Sequence, residues 1–323
     1  MRCRRVVAAF VLLLLLCFIS TSCSRKDQPD VRIGVIKALG TISPYISERV
    51  GAFQKAGIKV ELVEFPSGPA LMEAFASSNL DMAYNGIAPA AIWRAKGIDL
   101  RVVASANSGG HVILVRKDSG LKEYPDLAGR KVATPTTGSV TDTLMRALFL
   151  KRIARLDPEK DLTLLPGMAP ADMPTALLLT KEVDACVTWE PFAAQSLLQY
   201  ENAEVLFSFR DYWYEQYGRN YPVNVVVAKS SFIKEKPGLL KKVLDAHRST
   251  QDFINNNPEE ANKLIAEETG LDVRIIEKAR ESVDFTWQID VQDSLAMLQY
   301  AFELGYIDQI PSAEQLFDLR FLD

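Results

Sequence analysis

The order of hydrophobic and polar positions divides most of the chain into short apolar runs and longer amphipathic stretches. Four runs in the first third have the length and pattern of strands: VRIGVI (31–36), IKVELVEF (58–65), LDMAY (80–84) and LRVVASA (100–106). The stretches between them predict helices, the first from an N-cap at Ser43 to Gly57 and the others over 68–78 and 88–96. Strands that alternate with helices in this way predict a parallel, doubly wound sheet.

The same pattern restarts after the segment NSGG (107–110), which breaks the alternation. Further strands are predicted at 111–117, 130–135, 161–166, 183–189 and 203–209, with helices at 139–152, 171–180 and 192–199. A chain of 323 residues is long enough to form two such units. The sequence therefore predicts an α/β protein with two doubly wound lobes.

A last strand, PVNVVVAK (222–229), is followed by an almost wholly helical region. Helices are predicted at 238–255, 258–269, 272–283 and 292–304, and they need a surface on which to pack. We expect the chain to re-enter the first lobe and to cover it with these helices. The first lobe would then comprise 31–108 plus 224–323 and the second lobe 109–223. Two crossings, near 107–111 and 220–224, would form a hinge.

The N-terminus has the pattern of an export leader. Three arginines within the first five residues precede an uncharged apolar run of about 14 residues, which is short for a helix that must span about 30 Å of hydrocarbon. Three small residues and then Cys23 follow, an order that resembles a lipoprotein cleavage site, although Ser20 stands where Leu, Val or Ile is usual. We expect residues 1–22 to be a signal peptide, Cys23 to carry lipid and 23–30 to be a tether. An ordinary signal peptide with an incidental Cys is the alternative.

Composition excludes several classes of function. The chain has 37 basic and 41 acidic residues, and removal of the leader's arginines makes the rest more acidic, which argues against nucleic acid as a partner. With only two His and four Cys, no set of residues has metal-ligand spacing, and no metal or cofactor is expected. Cys186 lies in the strand-like run VDACVTW, where it is expected to be a small buried hydrophobe.

Four segments in order resemble a known family. They are VIKALG (35–40), LDMAYNGIAPA (80–90), DLAGRKVATPTTGSVTDTLMRALF (126–149) and MPTALLLTKEVDACVTWEPFAA (173–194). The chain from 31 to about 305 resembles the solute-binding proteins of bacterial ATP-driven importers for nitrate, bicarbonate, sulfonates, taurine and thiamine-pyrimidine precursors. The resemblance implies a type II periplasmic-binding-protein fold, a small-molecule ligand between the lobes, an inner-membrane ABC permease as partner and a monomeric protein.

Strand ends indicate where that ligand would bind. In open parallel sheets the crevice lies beyond the carboxyl ends of the strands, where helix N-termini carry unpaired N–H groups. Four such junctions occur, at 39–43, 85–88, 136–139 and 189–191. Together with the resemblance they give the candidate ligand-binding residues Lys37, Thr41, Asn85, Gly86, Thr137, Gly138, Ser139, Trp189 and Glu190.

Each candidate also has a purely structural interpretation. Thr137 or Ser139 would serve equally as a helix N-cap, and Lys37 as an ordinary surface lysine. Glu190 is favourable at a helix start without any ligand; if it points into the cleft, it would repel a bare anion and suit a zwitterion or an aminated ring. His111 either contacts ligand or caps the joint. The aromatic cluster DYWYEQY (211–217) either packs the lobes together or closes the cleft.

Two further functions remain open at this level. The same fold would also bind a thiamine-precursor pyrimidine or another small heterocycle. An enzyme of the thiamine-pyrimidine synthase type would need a Cys-rich motif, and after Cys23 the sequence contains only Cys186. The favoured reading is an exported, lipid-anchored protein that captures a small anionic or zwitterionic solute and delivers it to a permease.

Overall fold

Two mixed sheets organise the chain in the computed structural model, which describes residues 28–65, 68–77 and 80–322. The first sheet has six strands in the order β2-β1-β3-β10-β4-β11. Their bounds are β1 Val31–Val35, β2 Val60–Glu64, β3 Met82–Gly86, β4 Leu100–Gly109, β10 Pro222–Lys229 and β11 Val283–Phe285. β1 runs parallel to β2 and β3, whereas β10 is antiparallel to β3 and β4 and β11 is antiparallel to β4.

The second sheet has five strands in the order β7-β6-β8-β5-β9. Their bounds are β5 His111–Arg116, β6 Lys131–Ala133, β7 Thr163–Leu165, β8 Ala185–Trp189 and β9 Ala203–Ser208. β6 runs parallel to β7 and β8, and β5 is antiparallel to β8 and β9. We call each sheet with the helices that cover it a lobe, the six-stranded sheet belonging to the first lobe.

The two sheets share one strand order, which reflects the two crossings of the chain. In each sheet an antiparallel strand is inserted between two parallel neighbours, β10 between β3 and β4 and β5 between β8 and β9. Each inserted strand lies at a crossing between the lobes: β5 begins after the first crossing and β10 after the second. The predicted α/β fold with two lobes and a two-crossing hinge is confirmed.

Helices cover both sheets. Their bounds are Ser43–Arg49, Ala52–Lys55, Gly68–Ala76, Ile87–Ala95, Val140–Thr143 continued as the π-helix Leu144–Ala154, the π-helical turn Thr175–Leu179, Phe192–Gln199, Phe209–Tyr217, Ser230–Glu235, Pro237–Asn256, Pro258–Thr269, Val273–Ala279, Val291–Glu303 and Ala313–Leu316. Among the described residues no helix is both long enough and apolar enough to span a bilayer.

The first predicted helix differs from the observed structure. The chain forms two helices where one was expected, because Gly51 adopts a left-handed conformation with φ of 68° between them. Ser43 is not the N-cap: Ile42 holds that position, and Ser43 lies inside the first turn. The Ser43 side chain is buried and accepts a hydrogen bond from Gln251 Nε2 at 3.3 Å. A tertiary contact therefore uses the hydroxyl that the local sequence favoured as a helix cap.

The C-terminal region also departs in part from expectation. The helices 237–256 and 258–269 pack on the helix 43–49 of the first lobe, as predicted. The helix 291–303, however, lies against both the helix 87–95 of the first lobe and the helix 144–154 of the second. The strand β11 was not predicted: the helix 272–283 was expected to end on its first residue, Val283, and the next two residues were assigned to no element.

Hydrophobic packing explains why the first sheet holds its helices. Ile33 and Val35 of β1 belong to one buried cluster with Leu240 and Val243 of the helix 237–256. Each such side chain contributes about 1.5–3 kcal/mol when it is fully buried. Cys186 is buried and unpaired within the second lobe's own cluster, as the sequence predicted.

Candidate functional site

Two predicted glycines each lie against a side chain of the opposite lobe. A Cβ atom at Gly86, where β3 ends, would lie 3.0 Å from Val140 Cγ2 of the second lobe. A Cβ atom at Gly138 would lie 3.3 Å from Ile92 Cδ1 of the first lobe, and Gly138 also has a φ of +81°. The carboxyl ends of β3 and β6 therefore face each other, as the strand-end rule predicts.

The turn 136–139 is organised by an internal carboxylate. Gly138 N–H donates to Asp142 Oδ2 at 3.0 Å, and Asp142 N–H donates to Ser139 Oγ at 3.1 Å. Ser139 is thus the N-cap of the helix that begins at Val140, which is its structural interpretation. Thr137 is exposed, so its hydroxyl remains accessible at the surface of this turn.

Asn85 presents a buried amide group without a partner. The residue is 4% exposed, and its Nδ2 donates no hydrogen bond within the described part of the chain. Leaving a buried polar atom unpaired costs about 1–3 kcal/mol, so such atoms usually meet a ligand or a water molecule. Asn85 is consequently a good candidate for ligand contact.

Two threonines of the second lobe share this property and were not predicted. Thr134 follows β6 directly and Thr188 lies near the end of β8; both are fully buried, and neither hydroxyl has a partner among the described residues. Both belong to the carboxyl ends of parallel strands. The sequence signal that could have identified them is a polar residue at the end of an otherwise apolar strand, in KVAT and ACVT.

Lys37 lies beyond the end of β1 but is already paired. Its Nζ contacts Glu268 Oε1 at 2.9 Å and lies 5.3 Å from the centre of the Tyr45 ring. The hydrogen bond to Glu268 raises the pKa of Lys37, which stays charged. The lysine would have to leave Glu268 in order to reach a ligand.

Thr41 has a structural role in the loop after β1. Its hydroxyl donates to the carbonyl of Ile36 at 2.5 Å, and the residue is 4% exposed. The adjacent Gly40 lies where a Cβ atom would collide with Asn224 and approach Asn107 Oδ1 to 2.8 Å. This loop is therefore held directly against the hinge.

Aromatic rings line the hinge in a continuous row. Trp189 contacts His111 with ring centres 6.4 Å apart, His111 contacts Tyr221 at 5.8 Å, and Tyr221 contacts Trp213 at 5.6 Å. The Tyr221 hydroxyl also lies 2.9 Å from His111 Nδ1, and burial lowers the pKa of His111 to about 3. His111 is thus a neutral ring inside the joint. Trp189 is only partly buried and presents the accessible end of the row.

The aromatic cluster 211–217 lies in the helix 209–217. Trp213 is buried at the hinge, whereas Tyr214 and Tyr217 are exposed. The Tyr214 hydroxyl approaches Asp284 Oδ2 at 3.4 Å, so this helix packs beside β11. The packing interpretation accounts for Trp213.

Glu190 is engaged on both sides. Its Oε2 accepts from Ala194 N–H at 2.9 Å, and its Oε1 accepts from the Ser282 hydroxyl at 3.2 Å. Burial raises the pKa of Glu190 to about 7. The two hydrogen bonds lower this pKa, but by less than burial raises it. The carboxyl group caps the helix 192–199 and reaches the segment that leads into β11.

The hinge itself is cross-linked by polar side chains. Asn224 Nδ2 donates to Asn107 Oδ1 at 2.7 Å, which ties the second crossing to the first. Asn220 Nδ2 donates to Asp284 Oδ2 at 3.1 Å, which adds β11 as a third chain segment at this point.

Five of the nine candidates fall into two groups. Gly86, Gly138 and Ser139 lie together at the boundary between the lobes, and Trp189 and Glu190 lie at the hinge beside His111. Within the described residues no group of three or more His, Cys, Asp or Glu side chains could hold a metal ion. Cys23 and the leader 1–22 lie outside the described residues, as does the first part of the predicted tether.

Comparison with known proteins identifies the family of this chain. A family model described as the NMT1-like family matches residues 24–268. A protein of Bacillus subtilis (strain 168) named for binding aliphatic sulfonates is 26% identical, over 98% of this chain and 94% of its own.

Solved structures share the fold. The periplasmic aliphatic sulphonate binding protein SsuA from Escherichia coli superimposes with a TM-score of 0.74 and 23% identity, over 89% of this chain and 91% of that one. The periplasmic nitrate-binding protein NrtA from Synechocystis PCC 6803 superimposes with a TM-score of 0.73 and 16% sequence identity, over 90% of this chain and 85% of that one.

Proposed function

This chain belongs to the NMT1-like family, and from that premise we propose that it is the solute-binding protein of an ATP-driven importer. It works outside the cytoplasm. It captures a small anionic or zwitterionic organic solute between its lobes, closes around it and presents the closed form to an inner-membrane permease. It binds and releases its solute without a catalytic step.

One observation supports this proposal most directly. Buried polar atoms without a described partner occur at the carboxyl ends of parallel strands in both lobes: Asn85 Nδ2 in the first, and the hydroxyls of Thr134 and Thr188 in the second. A solute bound between the lobes would supply the missing hydrogen bonds and offset their desolvation. Alkanesulfonates fit such neutral donors because their oxygens accept hydrogen bonds without needing a fixed cation.

Charge narrows the class of solute further. Asp142 is paired with Arg146, both oxygens of Glu190 accept hydrogen bonds from the protein, and Lys37 is paired with Glu268, so the candidate residues offer no unpaired charge. A ligand with a single negative charge, or a zwitterion such as an aminosulfonate, suits this balance better than a multiply charged anion.

The lobe boundaries, 31–108 plus 224–323 and 109–223, are proposed to define the two moving bodies. A lipid on Cys23 would keep the protein beside its permease, and a monomer would suffice for capture.

The decisive experiment measures binding by calorimetry and thermal shift with ethanesulfonate, taurine, nitrate, bicarbonate and an aminopyrimidine. We expect a sulfonate to raise the melting temperature. Thr188→Val should weaken sulfonate affinity about tenfold, the loss of one hydrogen bond to a charged group. It should leave the stability of the ligand-free protein unchanged or raised, because the hydroxyl has no described partner there.

Thr163→Val is the matched control, since Thr163 is exposed on β7. A response to the aminopyrimidine alone would replace the sulfonate proposal with the heterocycle alternative. Absence of any response across the panel would contradict the importer function for these solutes.

A further inference from the structure

The C-terminal segment is attached to the first lobe at both of its ends. β11 pairs with residues 107–109 of β4, and Ser105 N–H donates to the Trp287 carbonyl at 3.0 Å. Beyond the helix 291–303, Asp318 N–H donates to the Val102 carbonyl at 2.9 Å. The segment therefore leaves the outer edge of β4 and returns to it.

Between these attachments the segment reaches the second lobe. Glu303, the last residue of the helix 291–303, accepts from Arg152 Nη2 at 2.6 Å. The Arg152 guanidinium also lies 4.6 Å from the centre of the Tyr300 ring. Arg152 belongs to the helix 144–154, which covers the second sheet.

The end of this helix aims Tyr306 at the candidate site. Gly305 has a φ of +71°, its N–H donates to the Phe302 carbonyl at 2.9 Å, and Tyr306 N–H donates to the Ala301 carbonyl at 2.9 Å. These two bonds form a Schellman motif, which turns the chain sharply at the helix end. The Tyr306 hydroxyl then donates to Asp142 Oδ2 at 2.5 Å. Burial and the neighbouring Asp142 raise the pKa of Tyr306, so its hydroxyl keeps the proton that it donates.

Asp142 is the point where this contact meets the turn 136–139. It is fully buried and also accepts from Gly138 N–H and from Arg146 Nε at 2.8 Å. Arg146 is shared with Glu159. One carboxylate of the second lobe thus joins a segment fixed to the first lobe with the backbone of the candidate ligand turn.

We propose that Tyr306 is a positioning residue that acts as a latch: it holds Asp142, and through it the turn 136–139, only while the lobes are closed. Opening of the lobes must separate Tyr306 from Asp142 and Arg152 from Glu303. The latch therefore sets how much of the ligand-free protein is closed and how well the turn is ordered for its solute. This inference rests on the proposed function for its effect on binding, but not for its effect on closure.

The test compares the purified ligand-free protein with Tyr306→Phe and Arg152→Gln. Small-angle X-ray scattering should show a larger radius of gyration for both variants. In the Tyr306→Phe variant, hydrogen exchange of the Gly138 amide should be faster. Tyr200→Phe, which removes a hydroxyl from the second lobe's own packing cluster, should match the wild type in both measurements. Unchanged scattering and Gly138 exchange in Tyr306→Phe would overturn the proposal.

A binding arm separates this inference from the proposed function. With ethanesulfonate as the probe, Tyr306→Phe should weaken affinity about tenfold, because fewer molecules are closed before binding. In an Asp142→Ala background the same substitution should have little further effect, since that background already lacks the acceptor of the Tyr306 hydroxyl. A full and independent loss in that background would show that Tyr306 does not act through Asp142. If no probe binds but scattering changes as expected, the latch stands and the solute assignment fails.

Discussion

Glu190 Oε1 accepts a hydrogen bond from the Ser282 hydroxyl at 3.2 Å, which joins β8's end in the second lobe to the segment entering β11 of the first sheet. The other oxygen caps the helix 192–199 through Ala194 N–H. Both oxygens have protein partners, so Glu190 contributes to the junction of the lobes rather than a free negative charge to the cleft. A bare anion is therefore not repelled by this residue as strongly as the sequence alone implied.

Glu190→Gln should change how stability depends on pH. Because burial raises the pKa of Glu190 from 4.5 to about 7, the folded state binds its proton more tightly than the unfolded state. Its contribution to stability is present below pH 4.5 and is lost as pH rises to about 7, a change of about 3 kcal/mol at most. Urea unfolding at pH 5 and pH 8 should show that the variant lacks this loss.

The quantity to compare is the difference in free energy of unfolding between the wild type and Glu190→Gln at each pH. Burial lowers the pKa of His111 to about 3 and that of His247 to about 4, so both histidines make the fold more stable as pH rises to 6.5. They oppose Glu190 in the wild type but cancel in the difference. Glu204→Gln, at an exposed position of β9, is the control. Parallel curves for the wild type and Glu190→Gln would contradict the prediction.

Gly109→Ala should be far more damaging than Gly120→Ala. Both glycines have positive φ, +75° and +73°, so both substitutions incur similar backbone strain of roughly 1–2 kcal/mol. At Gly120 nothing lies within 4 Å of the added carbon, whereas at Gly109 it would collide with Asn220 and approach the Ser282 carbonyl oxygen to 2.5 Å. Chemical denaturation should therefore show a loss of several kcal/mol for Gly109→Ala alone. Equal losses of unfolding free energy in the two variants would mean that the packing around Gly109 does not contribute to stability.

The elements that the sequence predicted best have a proline or a glycine at their boundaries. β10 begins at Pro222 and the helix 258–269 begins at Pro258 and is followed by Gly270, and both elements have their predicted bounds. The placement of Gly86 and Gly138 at the boundary between the lobes could also be predicted, because the strand ends of parallel sheets converge. The conformation of Ser43 was not, since its side chain is held by Gln251 from a distant helix.

Long-range polar contacts limited the prediction of the site. Glu190 and Ser282 are separated by 92 positions, and Tyr306 and Asp142 by 164. Neither Ser282 nor Tyr306 belongs to a motif, so no local pattern marks them. The unpartnered state of Thr188 likewise depends on what surrounds its strand, which spacing does not encode.

Cys23→Ser should release the protein from the membrane. If Cys23 is acylated, the wild type will partition with membranes and incorporate labelled fatty acid, and the variant will do neither. Thermal unfolding of the exported variant should match the wild type, because the described fold begins after this residue. A soluble wild-type protein without label would instead favour the ordinary signal peptide.

Lys37 provides the sharpest test of the charged part of the site, through its ion pair with Glu268. If Lys37 moves from Glu268 to the solute on binding, the two variants Lys37→Gln and Glu268→Gln should act in opposite directions. Removing the lysine should weaken affinity for an anionic solute, whereas removing its competitor should strengthen it. Each change should be about threefold, because the pair is partly exposed and screened.

Calorimetry with ethanesulfonate at low and high salt would measure both effects. Lys241→Gln, which breaks an ion pair with Asp245 within one exposed helix face, is the control. If Glu268→Gln and Lys37→Gln both leave affinity unchanged, Lys37 is a structural residue that ties the loop after β1 to the helix 258–269. The anion would then be held by neutral donors alone, which would make Asn85 and Thr188 the principal determinants of affinity.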